Sequence, residues 1–385
     1  MAATGIETGA RARGLGAITS QARMRSWVEV SLGTIRANYR AVRALVAGTA
    51  EVMPVVKADA YRHGAIEVAR ALEREGAPWL AVSNIEEGIS LRQAGILARI
   101  LVMADFLPSE RPALQEFGLT PVLHSLSDIA LAEVPYHLKI DSGMGRLGTR
   151  ADAEDIVRAV RAGTVELEGL MTHFASPANY SSPQTAEQMA RFEAVLKTLR
   201  SEGISPRYIH SSATIPVAYR RRDAWGNLVR PGHAIYGYVS PVRGPAPASA
   251  LRVKPALAWK AAVLAVKELE PGALVGYGGM HRAERPMRIA VLAAGYADGI
   301  PHRLSNKGNV IAKGKLAPII GAVSMDLTTI DITSCPGVEP GDSVMLLGSE
   351  GGVSIDAQQM ARQAGTISYS VLCGISARVK RVYVE

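Results

Sequence analysis

Between residues 51 and 229, short β-rich runs alternate with helical stretches, and this constrains the fold more than any other feature of the chain. Glu51 to Lys57 (EVMPVVK) reads as a buried strand despite Pro54, and His63 to Glu75 follows with apolar residues at helical spacing before Gly76. Trp79 to Val82 is a strand, Ile85 to Ala94 a helix ahead of Gly95, and Ile100 to Met103 a strand again. Thr120 to Leu123, Tyr136 to Ile140, Val165 to Met171, Tyr208 to Ile209 and Asn227 to Val229 bring the count to eight. Helices are expected over Asp152 to Arg161 and Thr185 to Arg200, the latter with Thr185 and Gln188 at capping-box spacing. Eight strands alternating with helices are what a (β/α)8 barrel requires. A doubly wound open sheet alternates in the same way, but usually carries a Gly-rich phosphate loop after its first strand. Here that position reads Lys57-Ala58-Asp59-Ala60-Tyr61, with no GxGxxG.

The texture changes near Pro241. Ser240 to Pro255 is rich in Pro, Ala and Arg and reads as a linker. The rest is mostly β, punctuated by turns at Glu270-Pro271-Gly272, Lys307-Gly308-Asn309 and Glu339-Pro340-Gly341-Asp342, with only Asp356 to Ala364 helical. The expected organisation is a disordered tail over residues 1–25, a barrel over 26–245 and a mostly antiparallel β domain over 246–385. The early strand within residues 26–31 is a candidate to join that last unit.

Composition excludes several classes. No apolar stretch in the 385 residues is long enough to span a bilayer, and the Arg-rich start lacks the apolar segment of a secretory signal. Cys335 and Cys373 lie far apart and form no CxxC pair, so neither a disulfide framework nor a metal site is expected, and a cytoplasmic, reducing setting fits. The net charge of +8 raises nucleic-acid binding. The only dense basic run in the body of the chain is Arg220-Arg221-Arg222, without any nucleic-acid-binding motif, and a solvated loop explains it better.

In such a barrel the strand ends and the loops after them build the site. Those positions hold Lys57, Asp141, His173, Ser211 with Ser212, and Arg230 with Pro231 and Gly232. A lysine ending an apolar strand either snorkels to the rim or sits desolvated at the mouth, where it is suited to a Schiff base with a carbonyl cofactor. The residues alone leave the two readings level.

The segment VVKADAYRHG (Val55 to Gly64) resembles the cofactor-lysine signature of the alanine racemases, the fold-type III pyridoxal-phosphate enzymes. The likeness continues through HLKIDSGMGRLG (His137 to Gly148), THFAS (Thr172 to Ser176) and LVRPGHAIYG (Leu228 to Gly237). In the second domain it takes in VGYGG (Val275 to Gly279), AAGYADGIPHR (Ala293 to Arg303), GAVSMD (Gly321 to Asp326) and ISYSVLCGISARVKRVY (Ile367 to Tyr383).

The resemblance implies a two-base racemisation of alanine with pyridoxal 5'-phosphate as cofactor, in a homodimer with shared active sites, supplying D-alanine for peptidoglycan. By that resemblance Lys57 bonds the cofactor and serves as base on one face of the substrate. Tyr277, from the partner subunit, is the base on the other. Tyr61, Ser212, Gly232, His233 and Tyr369 match phosphate-binding positions. Arg230 matches the arginine facing the pyridine nitrogen, and His173 the residue that orients it. Arg146 and the backbone of Met325 match groups that position the substrate carboxylate, and Tyr296 matches a tyrosine at the substrate entrance. Lys139 matches a lysine carbamylated in many members. His137, Lys139 and Asp141 share one strand face; a carbamate would attract Arg146, and a Lys139–Asp141 network is the alternative.

The chain departs from the family pattern at Asp59 and Arg62 (usually Asn and Gly), at Ser211 and Thr214 (usually Asn and Gly), and at Ala322 and Lys380 (commonly Arg and Pro). These differences keep a serine or broad-specificity racemase as the alternative.

Overall fold

Four- and five-residue runs that are apolar on both faces can be satisfied only where both faces are covered, and the chain provides that cover by wrapping helices around a parallel sheet. The structure, a computed structural model, describes residues 24–385. In chain order its strands are β1 (Ser26–Ser31), β2 (Glu51–Val52), β3 (Trp79–Val82), β4 (Arg99–Val102), β5 (Leu119–Leu123), β6 (Tyr136–Lys139), β7 (Leu167–Met171), β8 (Tyr208–His210) and β9 (Leu228–Val229). Strands β3 to β8 form one parallel sheet in sequence order, and β9 pairs in parallel with β2. The ring closes through a bridge between Val55 and Ala81 on one side, and through Asn227 N–H to the Ile209 carbonyl and Arg230 N–H to the Ser212 carbonyl on the other. Strands β3, β5, β6 and β7 are buried along their whole length.

The second sheet is built on a thirteen-residue strand, β10 (Leu257–Leu269), whose residues from Leu257 to Val263 alternate buried and half-buried. After a separate two-stranded ribbon of β11 (Leu274–Val275) and β12 (His281–Arg282), this sheet takes in β13 (Met287–Leu292), β14 (Asn309–Ala312), β15 (Lys315–Pro318), β16 (Thr328–Asp331), β17 (Ser343–Glu350), β18 (Val353–Ile355) and β19 (Lys380–Val384). Its backbone order is β15-β14-β17-β10-β1-β19, with β13 also on β10 and β16 on β13. Strand β1 therefore lies between β10 (antiparallel) and β19 (parallel), so the first and last described strands share one sheet.

Three sequence expectations need correction. The run from Glu51 to Lys57 is paired as a strand only over Glu51–Val52: Pro54 offers no N–H, and the chain reaches Lys57 through a Val55–Ala81 bridge and the Met53 and Val55 N–H bonds to the Val229 and Pro231 carbonyls. The helix Gln184–Ser201 is not capped by Thr185 and Gln188. Its N-cap is Pro183, the Thr185 hydroxyl donates to the Ser176 carbonyl, and the buried Gln188 amide holds Ala175 N–H and the His173 carbonyl. A second helix in the β domain, Ser368–Gly374, was not anticipated. The tail expectation falls on residues 1–25, of which 1–23 lie outside the described residues. Among those described, no helix is long and apolar enough to cross a membrane. In the basic run, Arg221 lies over the Tyr180 ring (5.4 Å) and Arg222 over Trp225 (5.9 Å).

Candidate active site

Lys57 opens a turn of the wrong hand. Ala58, Asp59, Ala60, Tyr61 and Arg62 have φ of 54°, 53°, 52°, 53° and 65°, a run of left-handed residues without a glycine. Each costs an L-residue about 1–2 kcal/mol, so the surroundings must hold the turn. Glu87 accepts from Ala58 N–H (2.6 Å) and from Ser83 N–H at the end of β3 (2.7 Å). Asp59 Oδ1 accepts from Ala65 N–H at the start of the next helix (2.8 Å), and Arg381 Nε–H donates to the Arg62 carbonyl (3.2 Å). Gly64 (φ 91°) closes the turn where a Cβ would meet the Tyr383 hydroxyl at 1.8 Å. The two departures at Asp59 and Arg62 thus fall on left-handed residues, where Asn and Gly are the favoured types.

The turn delivers Lys57 half-buried and Tyr61 buried. Burial, with Arg146 adding to it, lowers the Lys57 amine below the usual lysine value against the opposing pull of Glu87. Tyr61 packs against Tyr236 (ring centroids 4.6 Å) and Tyr369 (6.0 Å), and burial raises its phenol. Beside it, a Cβ on Gly232 would meet the Tyr61 hydroxyl at 2.3 Å, so only glycine lets this backbone approach. The N–H groups of Gly232 and His233 have no acceptor among the described residues. His233 is buried and stacked between Tyr369 (4.0 Å) and Tyr238 (5.0 Å), with Nε2 at 3.3 Å from the Ser368 hydroxyl and Nδ1 unpartnered. The unanticipated helix Ser368–Gly374 thus carries Tyr369 onto the turn, and Arg62 Nε–H binds its Cys373 carbonyl (3.4 Å). Ser212 is fully buried; its hydroxyl donates to the Ala224 carbonyl (2.5 Å).

Arg230 is the dominant buried cation. It is 2% exposed, and burial pushes it down to about 9, which leaves it charged at neutral pH. Nη1–H groups donate to His210 Nδ1 (2.7 Å) and the His210 carbonyl (2.8 Å), and Nη2–H groups to the carbonyls of Thr172 (2.7 Å) and Ser211 (3.3 Å). His173 Nδ1 lies at 3.4 Å, so the nearer imidazole belongs to His210, which sequence reasoning missed. The Nε–H is the one guanidinium donor without an acceptor among the described residues. His173 is pushed down to about 3 by burial and then by Arg230, Lys139, Arg146 and Lys57, which places five basic side chains in one field.

Lys139 is 5% exposed and pushed down to about 8 by burial, Arg146 and Arg230. Asp141 does not pair with it. Burial opposes Asp141 ionisation, but N–H groups of Gly145, Gly143 and Met144 and the Arg150 guanidinium hold it at about 2 and use both oxygens. His124, next in this field, has neither ring nitrogen partnered, an arrangement that would suit an added anion.

The remaining expected residues stand elsewhere. Tyr277 is 78% exposed in a tight turn after Gly276, Tyr296 is 45% exposed, and Met325 is 53% exposed. Tyr296 N–H and Ala297 N–H bind the Ser324 and Met325 carbonyls (2.9 and 3.0 Å), and a Cβ on Gly276 would touch Ala322. These three loops thus share one face of the second domain. Among the described residues, no hydrogen bond or ion pair joins their side chains to Lys57 or Arg230.

A profile described as "Alanine racemase, N-terminal domain" matches residues 30–241, and "Alanine racemase, C-terminal domain" matches residues 256–383. The chain is 42% identical over 369 residues to the alanine racemase of Carboxydothermus hydrogenoformans, covering 93% of this chain and 99% of that one. It is 38% identical over 369 residues to that of Halothermothrix orenii, covering 93% and 96%. Among solved structures, alanine racemase from Bacillus anthracis with bound L-Ala-P superposes with a TM-score of 0.86 at 31% identity, covering 94% of this chain and 95% of that one. Alanine racemase from Bartonella henselae with covalently bound pyridoxal phosphate gives 0.81 at 28%, covering 94% and 99%.

Proposed function

The chain belongs to the alanine racemase family, and from that premise we propose that it interconverts L- and D-alanine with pyridoxal 5'-phosphate held at Lys57. The observation that carries the proposal is the convergence of the desolvated Lys57 amine, the free N–H groups of Gly232 and His233, and the spare Nε–H of Arg230. An anionic, planar, ring-nitrogen cofactor needs those three kinds of partner. Bound there, it would acidify the substrate Cα–H by delocalising charge into its ring.

In this reading the residues divide the work. Gly232 and His233 backbone groups, with Tyr61, Ser212 and Tyr369, hold the phosphate. Arg230 keeps its protons, so a ring nitrogen facing it would accept a hydrogen bond and stay unprotonated, which would favour return of the substrate proton over side reactions. Lys57 takes or returns the proton on one face and the partner subunit's Tyr277 on the other, because one base serves opposite faces poorly. Arg146 and the Met325 backbone position the carboxylate, Lys139 as a carbamate braces Arg146, and Tyr296 lines the entrance. The exposure of Tyr277, Tyr296 and Met325 supports a homodimer in which each chain completes the other's site. The product would serve peptidoglycan synthesis in the cytoplasm.

Borohydride reduction of the protein with pyridoxal phosphate, followed by peptide mapping, tests the cofactor site. Label on Lys57 is expected, and label on another lysine contradicts it. Loss of optical rotation with L-alanine, compared with L-serine and L-lysine, tests the reaction and its selectivity.

A further inference from the structure

We infer that His210, His137 and Glu168 form a relay of fixed polarity through the barrel interior, by which an ion pair at the closed end positions Arg230 at the open end. The relay rests on the proposed function only for its consequence at the cofactor; its own existence does not.

Four contacts define it. Arg230 Nη1 lies 2.7 Å from His210 Nδ1, and His210 Nε2 lies 2.7 Å from His137 Nδ1. His137 Nε2 stands 3.8 Å from Glu168 Oε2, an ion-pair distance beyond hydrogen-bond reach, and both Glu168 oxygens take Arg99 Nη–H groups at 2.6 Å. Arg99 opens β4 and Glu168 is the second residue of β7, so this pair lies at the strand N-termini, whereas Arg230 follows the C-terminal end of β9.

The direction of every proton follows from the chemistry of its end groups. A guanidinium only donates, so His210 Nδ1 must offer a lone pair and its single proton resides on Nε2. That proton is donated to His137 Nδ1, which places the His137 proton on Nε2, aimed at the Glu168 carboxylate. Protonating His210 would set an N–H against the Arg230 N–H, and burial already holds both imidazoles below their usual value. Glu168, despite burial, is held at about 2 by His137 and Arg99, so the acceptor end stays anionic.

The surroundings are built for this arrangement. Gly169 on β7 leaves the space His137 fills, since a Cβ there would lie 2.5 Å from the imidazole. Tyr208 stacks on His137 (5.8 Å) and Trp79 meets its edge (5.6 Å), while Arg99 lies 3.9 Å over the Trp79 ring. Both histidines are fully buried. His210 is thus a positioning residue for Arg230, and Glu168 a positioning residue acting through two imidazoles.

The test uses cofactor-free protein labelled with nitrogen-15 histidine, its signals assigned with His137→Gln and His210→Gln. The expected result is that both residues are Nε2–H tautomers that do not titrate between about pH 6 and 9. A proton on His210 Nδ1, or an imidazolium at either position, overturns the relay. Glu168→Leu should redistribute the His137 tautomers and change the His210 signal, whereas Glu168→Asp should restore the wild-type pattern. In the protein loaded with pyridoxal phosphate, Glu168→Leu should release the cofactor about tenfold faster and shift its absorbance. Unchanged ring signals in a folded Glu168→Leu protein also overturn it. If Glu168→Leu does not fold, the wild-type tautomers decide alone. A wild-type protein with the expected tautomers that takes no pyridoxal phosphate would refute the functional reading and leave the relay standing.

Discussion

Arg230 is 2% exposed and Tyr277 78% exposed, although the proposed function puts both in one reaction centre. The barrel half of the site is finished within one chain: its turn is strained and braced, its cations are desolvated, and its glycines are shaped to neighbouring side chains. The half on the second domain is three loops, two of them (at Tyr296 and Met325) joined by backbone hydrogen bonds and the Tyr277 turn close beside Ala322, and their side chains meet solvent. A site built on rigid strands can store strain and perturbed ionisation, because the fold supplies the compensation. Side chains that must approach from another chain can be prepared only in backbone position, and are completed by association.

Predictions follow from that contrast, the largest effect first. Lys57→Ala should abolish cofactor attachment and lower racemisation by roughly 10³-fold or more, read from the absorbance of the loaded protein and from polarimetry. Tyr277→Phe should lower racemisation by about 10²- to 10⁴-fold, while thermal unfolding moves by no more than about 0.5 kcal/mol because the residue is exposed. A large loss of stability in Tyr277→Phe would erase the distinction between the halves. Gly232→Ala should do what Tyr277→Phe does not: displacing the Tyr61 hydroxyl should cost about 1–3 kcal/mol of stability and weaken pyridoxal phosphate binding by titration.

The smallest effect is electrostatic. Lys139, pushed down to about 8, binds fewer protons folded than unfolded between pH 8 and its ordinary lysine value. Stability should therefore rise with pH through that window, and the penalty should be complete below it. In carbon-dioxide-free buffer at pH 7, Lys139→Met should gain about 1–2 kcal/mol, a gain that vanishes on the alkaline side of the window. Bicarbonate should reverse the order by converting the wild-type amine to a carbamate, visible by carbon-13 NMR. A bare amine with full activity would contradict that role.

Much of this was legible in the sequence, for reasons that differ by region. Trp79 to Val82 was read to the residue, because an apolar run between turn signals has few alternatives inside a barrel. The capping box at Asp356 and Gln359 fixes the start of Ala357–Ala364 locally, and that helix was anticipated. The left-handed turn is not legible in the sequence, since KADAYR contains no glycine and two of the groups that hold its shape, Glu87 and Arg381, are distant in the chain. Ser368–Gly374 escaped notice because SYSVLCG is short and has no side-chain cap. His210 escapes an apolar-run reading because the apolar signal stops at Ile209, one residue before the strand does. Period-two alternation through Tyr208, His210 and Ser212 was the available signal.

The central claim is that one working site needs the finished half of one chain and the exposed half of another. Mixing Lys57→Ala with Tyr277→Phe subunits tests it most directly, with exchange verified by native mass spectrometry. In a mixed dimer one site would carry both lesions and the other neither. Racemisation should therefore return from two nearly inactive parents to about a quarter of the wild-type rate at random pairing. Verified exchange with no recovery of activity would show that the two bases do not come from different chains.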